Sequence, residues 1–271
     1  MNTAPGGPDR PAAGAVAMLR VTDGRTLRPT GIPAGHRRGM LTMRIHLARA
    51  DTTVDATDMR ALLVGDVLAR ALEARGVQVF HTLAGPALPR EPAVRLRHAM
   101  DGLGIHPPTG ESTGTGDRAD LHVSAAALRA TTTGLWLQVG RVRQDAPPLQ
   151  LVRAESADGV DPLAVRLTLL AFPYRRPIGL TSDLVSDAGR RLAAWRRQVA
   201  TWADSPSKPV PPDIVTRADA ALADDLGTPG MLDLLRHVET ADTIADGAKF
   251  ETFALLDRVL GLELTREIGR V

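Results

Sequence analysis

Between residues 40 and 81 the chain spells out a strand, a helix and a second strand, an order that few folds accept. MLTMRIHLA (40–48) reads as a strand. Asp55 or Asp58 caps the helix that follows, and Val64, Val67, Leu68, Ala71 and Leu72 recur on one of its faces at helical spacing. Gly76 supplies a left-handed stop, and VQVFH (77–81) is the next strand. Strands joined through a helix run parallel with a right-handed crossover, so this region is committed to a parallel sheet.

The flanking segments extend that reading. AMLRVTDGRTLRPT (17–30) is a hairpin about Asp23-Gly24, preceded by a Pro/Gly/Ala-rich stretch, residues 1–15, expected to be disordered. TLAGPALPREP leads into a second helix with Leu96, Ala99, Met100 and Leu103 on one face and Gly104 near its end. GIHPPTGESTGTGD (104–117) is expected to be loop, and ADLHVS (119–124) and LWLQVGRV (135–142) are further strands. Everything after Asp161 reads as helix, divided by the SPSKPVPPD linker at 205–213. An α/β domain over 16–155 and a helical bundle over 156–271 are therefore expected.

Composition removes several kinds of chemistry. There is no cysteine, which excludes disulfides, thiolate nucleophiles and cysteine-ligated zinc. The seven histidines show no HxxH or HxxxH spacing, so a helical metal pair is absent and zinc is not expected. Only Lys208 and Lys249 are lysines, and the net charge of +2 is small. The arginine pairs Arg175–Arg176, Arg190–Arg191 and Arg196–Arg197 read as solvated helix faces rather than a nucleic-acid surface. No apolar run approaches the roughly 18–20 residues of a membrane span, and the N-terminus lacks a signal-peptide pattern. A cytoplasmic location without membrane contact is expected.

Three ordered elements of the helical half carry a resemblance. DPLAVRLTLLAFPYRRPIGLTSDLVSDAGRRLAAW (161–195), ALADDLGTP (221–229) and LLDRVLGLEL (255–264) resemble the segments that follow the signature loop in cysteinyl-tRNA synthetases. LRVTDGRTLRPTGIPAG is similar to that family's opening strand pair, ADLHV to its D-[IL]-H-G-G element, and WLQVGRV to the strand leading into the KMSKS loop. The Asp55-Ala56-Thr57 triplet looks most like the sister enzyme of the mycothiol pathway, which joins cysteine to glucosaminyl-inositol. The resemblance runs from about residue 18 to the end, interrupted at 110–120 and 128–134, where this chain is much shorter. It implies a Rossmann-like class I synthetase core, built on a parallel sheet, followed by a C-terminal α-helical bundle. It also implies a truncated, degenerate member, without an anticodon-binding domain.

The same resemblance says which devices ATP-dependent ligation would need. In this family two imidazoles of a HIGH-type turn meet the ATP phosphates, a lysine-rich loop clamps pyrophosphate, and zinc holds the substrate thiolate. Here the first turn reads Asp55-Ala56-Thr57-Asp58, or Asp58-Met59-Arg60 if residues were deleted. Carboxylates would thus face phosphate, and like charges repel. No lysine precedes Lys208, and the strand's histidine is Gln138.

The candidate ligand-binding residues are Asp55, Thr57, Asp58 and Arg60 at that turn, Asp120 and His122 of ADLHV, and Trp136, Gln138, Gly140, Arg141 and Arg143. Each has an ordinary structural reading as well. Asp55 and Asp58 are natural helix caps, Trp136 is a natural core residue, and Arg141 and Arg143 suit a solvated edge. DDLGTP speaks for the fold alone, with Gly227 ending one helix, Thr228 capping the next and Pro229 in its first turn.

The leading expectation is a paralogue without cysteine adenylation, acting as a pseudoenzyme on a nucleotide- or adenylate-like small molecule or on a protein partner. The alternative is an active ligase in which Arg60, Arg141 and Arg143 replace the lost cations and the substrate is not cysteine. ATP is the cofactor the resemblance implies, and tRNA is not an expected partner.

Overall fold

The computed structural model describes residues 18–32, 40–48, 54–84, 88–112, 119–125, 133–144 and 161–270. Residues 1–15 lie outside the described residues, as do residues 145–160, which include all but the first two residues of RQDAPPLQLV (143–152), the lysine-free stretch that follows WLQVGRV. The hairpin is β1 (Arg20–Thr22) paired antiparallel with β2 (Pro29–Gly31). Next come β3 (Met40–His46), α1 (Ala56–Glu73), β4 (Gln78–Ala84), α2 (Arg90–Gly102), β5 (Gly110–Ser112), β6 (Leu121–Ser124) and β7 (Leu135–Gln138). These strands form one sheet in the order β5-β4-β3-β6-β7, every pairing parallel. The order reverses at β3, which has β4 on one side and β6 on the other. In open α/β sheets the crevice outside the carboxyl ends of the strands at such a reversal is where ligands bind.

Period-two alternation gives the sheet two unlike faces. Met43 and Ile45 point toward α1, where Gly65 lets the helix approach so closely that an added Cβ would sit 2.6 Å from the end of Ile45. The other face carries Thr42, Arg44 and His46 of β3, in register with His122 and Ser124 of β6 and with Trp136 and Gln138 of β7. Val64, Val67, Leu68, Ala71 and Leu72 are buried as their spacing implies, and so is every other residue of α1 except Arg70 and Glu73. The second side of α1 is covered by α7 (Asp246–Leu260) and β8 (Val142–Gln144). A helix polar on that side would have left those elements without an apolar partner.

The C-terminal part is helical as expected, with α3 (Leu163–Leu170), α4 (Ser182–Trp202), α5 (Pro212–Ala223) and α6 (Thr228–Thr240) preceding α7. Trp195 and Trp202 both meet Phe253 edge-on, with centroids 6.0 and 5.1 Å away. Two short strands were not expected. β5 lies inside the Gly/Thr/Pro-rich segment, and β9 (Ile178–Leu180) pairs in parallel with β8. Each has only three residues, too few for a periodic pattern to register. Gly227, not Thr228, is the N-cap of α6, and the Thr228 hydroxyl donates instead to the Leu170 carbonyl. Among the described residues no helix is long and apolar enough to cross a membrane.

One buried cluster ties the α/β layer to the helices. Asp66 of α1 accepts from Arg166 of α3 at 2.7 Å and from Arg70 at 2.8 Å, and its other oxygen lies 3.0 Å from His106 Nδ1. Arg166, fully buried, also donates to the carbonyls of Leu260, Leu103 and Gly104. Burial opposes ionisation of Asp66, but the His106 hydrogen bond and the Arg166 and Arg70 charges outweigh it, holding the carboxyl well below the usual range. A carboxylate with a depressed folded pKa stabilises the fold above its unfolded value of ~4, and that contribution is lost as pH falls through the folded value. The urea midpoint is therefore expected to drop steadily below pH ~4, and Asp66→Asn should flatten that part of the profile.

Candidate functional site

The amino end of α1 is closed by its own side chains. Asp55 is the N-cap in extended conformation, and its carboxylate accepts from the backbone N–H groups of Thr57 at 2.7 Å and Asp58 at 3.0 Å. Asp58, wholly buried, reaches back to the Asp55 N–H at 3.2 Å, completing a capping box, and accepts from the Ala48 N–H across the strand-to-helix loop. The helix donors that an anion would use are thus already occupied by carboxylates. This turn does not fit an ATP phosphate.

The remaining turn residues stitch α1 to the crossover after β7. The Thr57 hydroxyl accepts from the Val142 N–H at 3.1 Å. Arg60, 1% exposed, donates to the carbonyls of Gly140 at 3.1 Å, Arg176 at 2.6 Å and Pro173 at 2.8 Å. Burial lowers its pKa to about 10, so it stays charged at neutral pH. Its guanidinium faces backbone, not solvent. Gly140 lies against the same turn, where an added Cβ would come within 2.5 Å of the Arg175 carbonyl oxygen. Gly140→Ala is expected to cost about 1–3 kcal/mol by overpacking, measurable as a lower denaturation midpoint. Arg141 and Arg143, by contrast, are exposed beside this junction.

A second group sits on the sheet face opposite α1, at the point where strand order reverses. The His122 and Trp136 rings stack at 4.2 Å with an interplanar angle of 6°, and His46 stacks on Trp136 at 4.8 Å. His46 Nε2 lies 2.9 Å from His122 Nδ1, and His122 Nε2 lies 3.1 Å from the Thr133 carbonyl oxygen. A carbonyl only accepts, so His122 donates through Nε2, and in the neutral pair His46 donates to His122. The proton order is therefore set from Thr133 outward. The Trp136 indole N–H is buried without an acceptor among the described residues. Gln138 donates to the carbonyls of Ser124 and Val139, closing the carboxyl edge of β6 and β7.

The expected residues thus divide rather than converge. Asp55, Thr57, Asp58, Arg60 and Gly140 form one knot at the α1 turn. His122, Trp136 and Gln138 form a wall on the sheet. Asp120 belongs to neither, since it precedes β6 and accepts from the Thr42 N–H and hydroxyl, both at 2.8 Å. His46 was missed in the sequence. The alternation of MLTMRIH, which sets Thr42, Arg44 and His46 opposite Leu41, Met43 and Ile45, is the signal that could have found it. Among the described residues no group of three or more His, Asp or Glu side chains is placed to hold a metal ion.

No family model matches the chain. Curated proteins do. Over 162 residues it is 35% identical to the L-cysteine:1D-myo-inositol 2-amino-2-deoxy-alpha-D-glucopyranoside ligase of Geodermatophilus obscurus, covering 52% of this chain and 37% of that protein. The protein of the same name from Cellulomonas flavigena is 33% identical over 186 residues, 61% of this chain and 43% of its own. That from Rhodococcus erythropolis is 40% identical over 114 residues, 40% of this chain and 26% of its own. This chain is a relative of these cysteine ligases. The match spans less than half the length of the ligases from Geodermatophilus and Cellulomonas. The parallel sheet followed by helices agrees with the Rossmann-like core and helical region that the ligase resemblance implied.

Proposed function

We propose that this ligase relative binds a small adenylate- or nucleoside-like molecule at the sheet wall and no longer carries out ATP-dependent ligation. The observation that carries the reading is the capping box at α1, where Asp55 and Asp58 occupy the backbone donors a phosphate would need. The wall formed by His46, His122 and Trp136 supports retained binding. The half-buried His46 ring, at the carboxyl end of β3, lies over the buried rings of His122 and Trp136, and the Trp136 indole N–H is buried without an acceptor among the described residues. A ligand of low charge with one flat ring and one acceptor suits that wall better than a triphosphate does.

The test is calorimetric titration of the full chain with ATP, cysteine, a non-hydrolysable cysteinyl-adenylate mimic and the parent nucleoside, alongside amino-acid-dependent pyrophosphate exchange. Binding of the nucleoside or the mimic, lost in Trp136→Phe and His46→Ala, with no exchange above background, is the expected pattern. Exchange with any amino acid would overturn it.

A second reading keeps ligase activity with a rewired site and a substrate other than cysteine. It is favoured by one observation, the exposure of Arg141 and Arg143 beside the α1 turn. It requires ATP turnover that collapses in Arg141→Ala and Arg143→Ala variants.

A further inference from the structure

The chain buries its arginines in two different ways. Arg166 and Arg196, 0% and 4% exposed, each meet a carboxylate, Asp66 for the first and Asp161 for the second. Arg60 is as deeply buried, and among the described residues no carboxylate lies within ion-pair distance of it. Two acids of the adjoining turns are engaged by other groups. Asp58 accepts from the Ala48 and Asp55 N–H groups, and Asp225 from the Thr22 N–H, the Tyr174 hydroxyl and Arg175. Burial lowers the Arg60 pKa with no opposing charge to raise it, whereas Asp66 works against burial at Arg166. A buried charge is ordinarily paired, because an isolated one is costly to take out of water.

The guanidinium also has donors to spare. Of its N–H groups, those on Nη1 and Nη2 serve the carbonyls of Gly140, Arg176 and Pro173. Its Nε–H is buried and has no acceptor among the described residues. Arg60 forms part of the wall of a small cavity, together with Leu63 and Val67 of α1, Leu170 at the end of α3, and Tyr174 and Leu226 of the turns beyond. The cavity volume is about 20 Å³, slightly more than the roughly 10–15 Å³ that one water-sized sphere needs. A single-atom ion fits that space, and a phosphate or an organic acid does not. Most of the wall is apolar, a poor setting for a water, which needs about two to four polar partners.

We infer that this cavity binds one halide ion of chloride size, which accepts from the Arg60 Nε–H and supplies the counter-charge that no carboxylate gives this arginine. Its walls come from α1, α3 and the turn before α6, so the ion would bind the folded chain and not the unfolded one. The site is separate from the sheet wall and stands whether or not that wall binds a ligand.

The experiment is urea unfolding of the full chain at fixed ionic strength, with sodium chloride replacing sodium gluconate in steps. An ion that binds only the folded chain multiplies the folding constant by one plus its concentration over Kd. The midpoint should therefore climb with the logarithm of chloride once Kd is passed, with a gain of about tenfold or more in the folding constant by ~0.3 M. Bromide should act like chloride. Val67→Leu adds a methylene that takes up the cavity while keeping Arg60, and its midpoint should no longer respond to chloride. Arg60→Met removes the donor and should lose the response as well. Circular dichroism checks that both variants are folded, and Val67→Leu decides alone if Arg60→Met is not. The inference falls if chloride and gluconate give the parent chain the same midpoint, as a bound water would. It falls equally if the chloride response survives in either folded variant.

Discussion

Replacing Arg166 by methionine is expected to lower the stability of this protein by about 3–5 kcal/mol, the range seen when one partner of a buried ion pair is removed. The guanidinium serves four acceptors at once, the Asp66 carboxylate and the carbonyls of Leu103, Gly104 and Leu260. Methionine fills similar space but takes the buried Arg166 donors away from the Leu103 and Leu260 carbonyls, while the Gly104 carbonyl keeps its hydrogen bond from Arg70. Asp66 would keep Arg70 and His106, so its charge would not be wholly orphaned. That sets the expectation toward the lower part of the range. Urea unfolding at neutral pH reads the loss directly. The double variant Asp66→Asn with Arg166→Met should lose clearly less than the two single losses added, because the second change removes the charge that the first one stranded. Strict additivity would mean that the two residues do not act as a pair.

Arg60→Met is the second large effect, and it also separates the two functional readings. The side chain holds the Pro173 and Arg176 carbonyls against Gly140, so its removal should release the turn between α3 and β9 from the α1 layer. A loss of about 3 kcal/mol is expected, since hydrogen bonds to a charged donor contribute about 1.5–3 kcal/mol each and some would be replaced by water. The measurement is a denaturation midpoint together with the affinity of whichever nucleoside-like ligand is found. Here stability falls while the affinity of the folded fraction changes little. If Arg60 were a phosphate-binding cation, the pattern would be reversed, with ligand affinity or turnover lost and the midpoint unchanged.

Much of the scaffold was legible because its signals are local and periodic. The β3–α1–β4 unit is marked by alternation, helical spacing and Gly76, which takes a left-handed φ of 78° as its position requires. The helices after Asp161 are long enough for the same reason. The short strands β5 and β9 were not legible, because three residues carry no period and their existence depends on β4 and β8 being alongside. The candidate site divides along the same line. That Asp55 and Asp58 could cap a helix is written in the residue types. That Arg60 would be spent on carbonyls more than a hundred residues away in the chain is not, since nothing near it in sequence announces those partners. His46 stayed hidden for the opposite reason. It sits in an obvious strand, but its role comes from His122 and Trp136, which only the reversal of strand order brings beside it.

The Arg166 cluster also bears on how the chain reaches this structure during synthesis. Its members come from positions 66, 103–104, 166 and 260, so the charge on Asp66 stays without its main partner until the ribosome has passed Arg166. The Leu260 carbonyl arrives nearly a hundred residues later still. The apolar side of α1 that faces α7 is exposed for the same interval. An N-terminal α/β layer that settles first therefore does so with Asp66 held only by Arg70 and His106, and its packing is completed when the helices dock. Until that last helix is made, the apolar side of α1 is without its cover, the kind of surface on which growing chains aggregate.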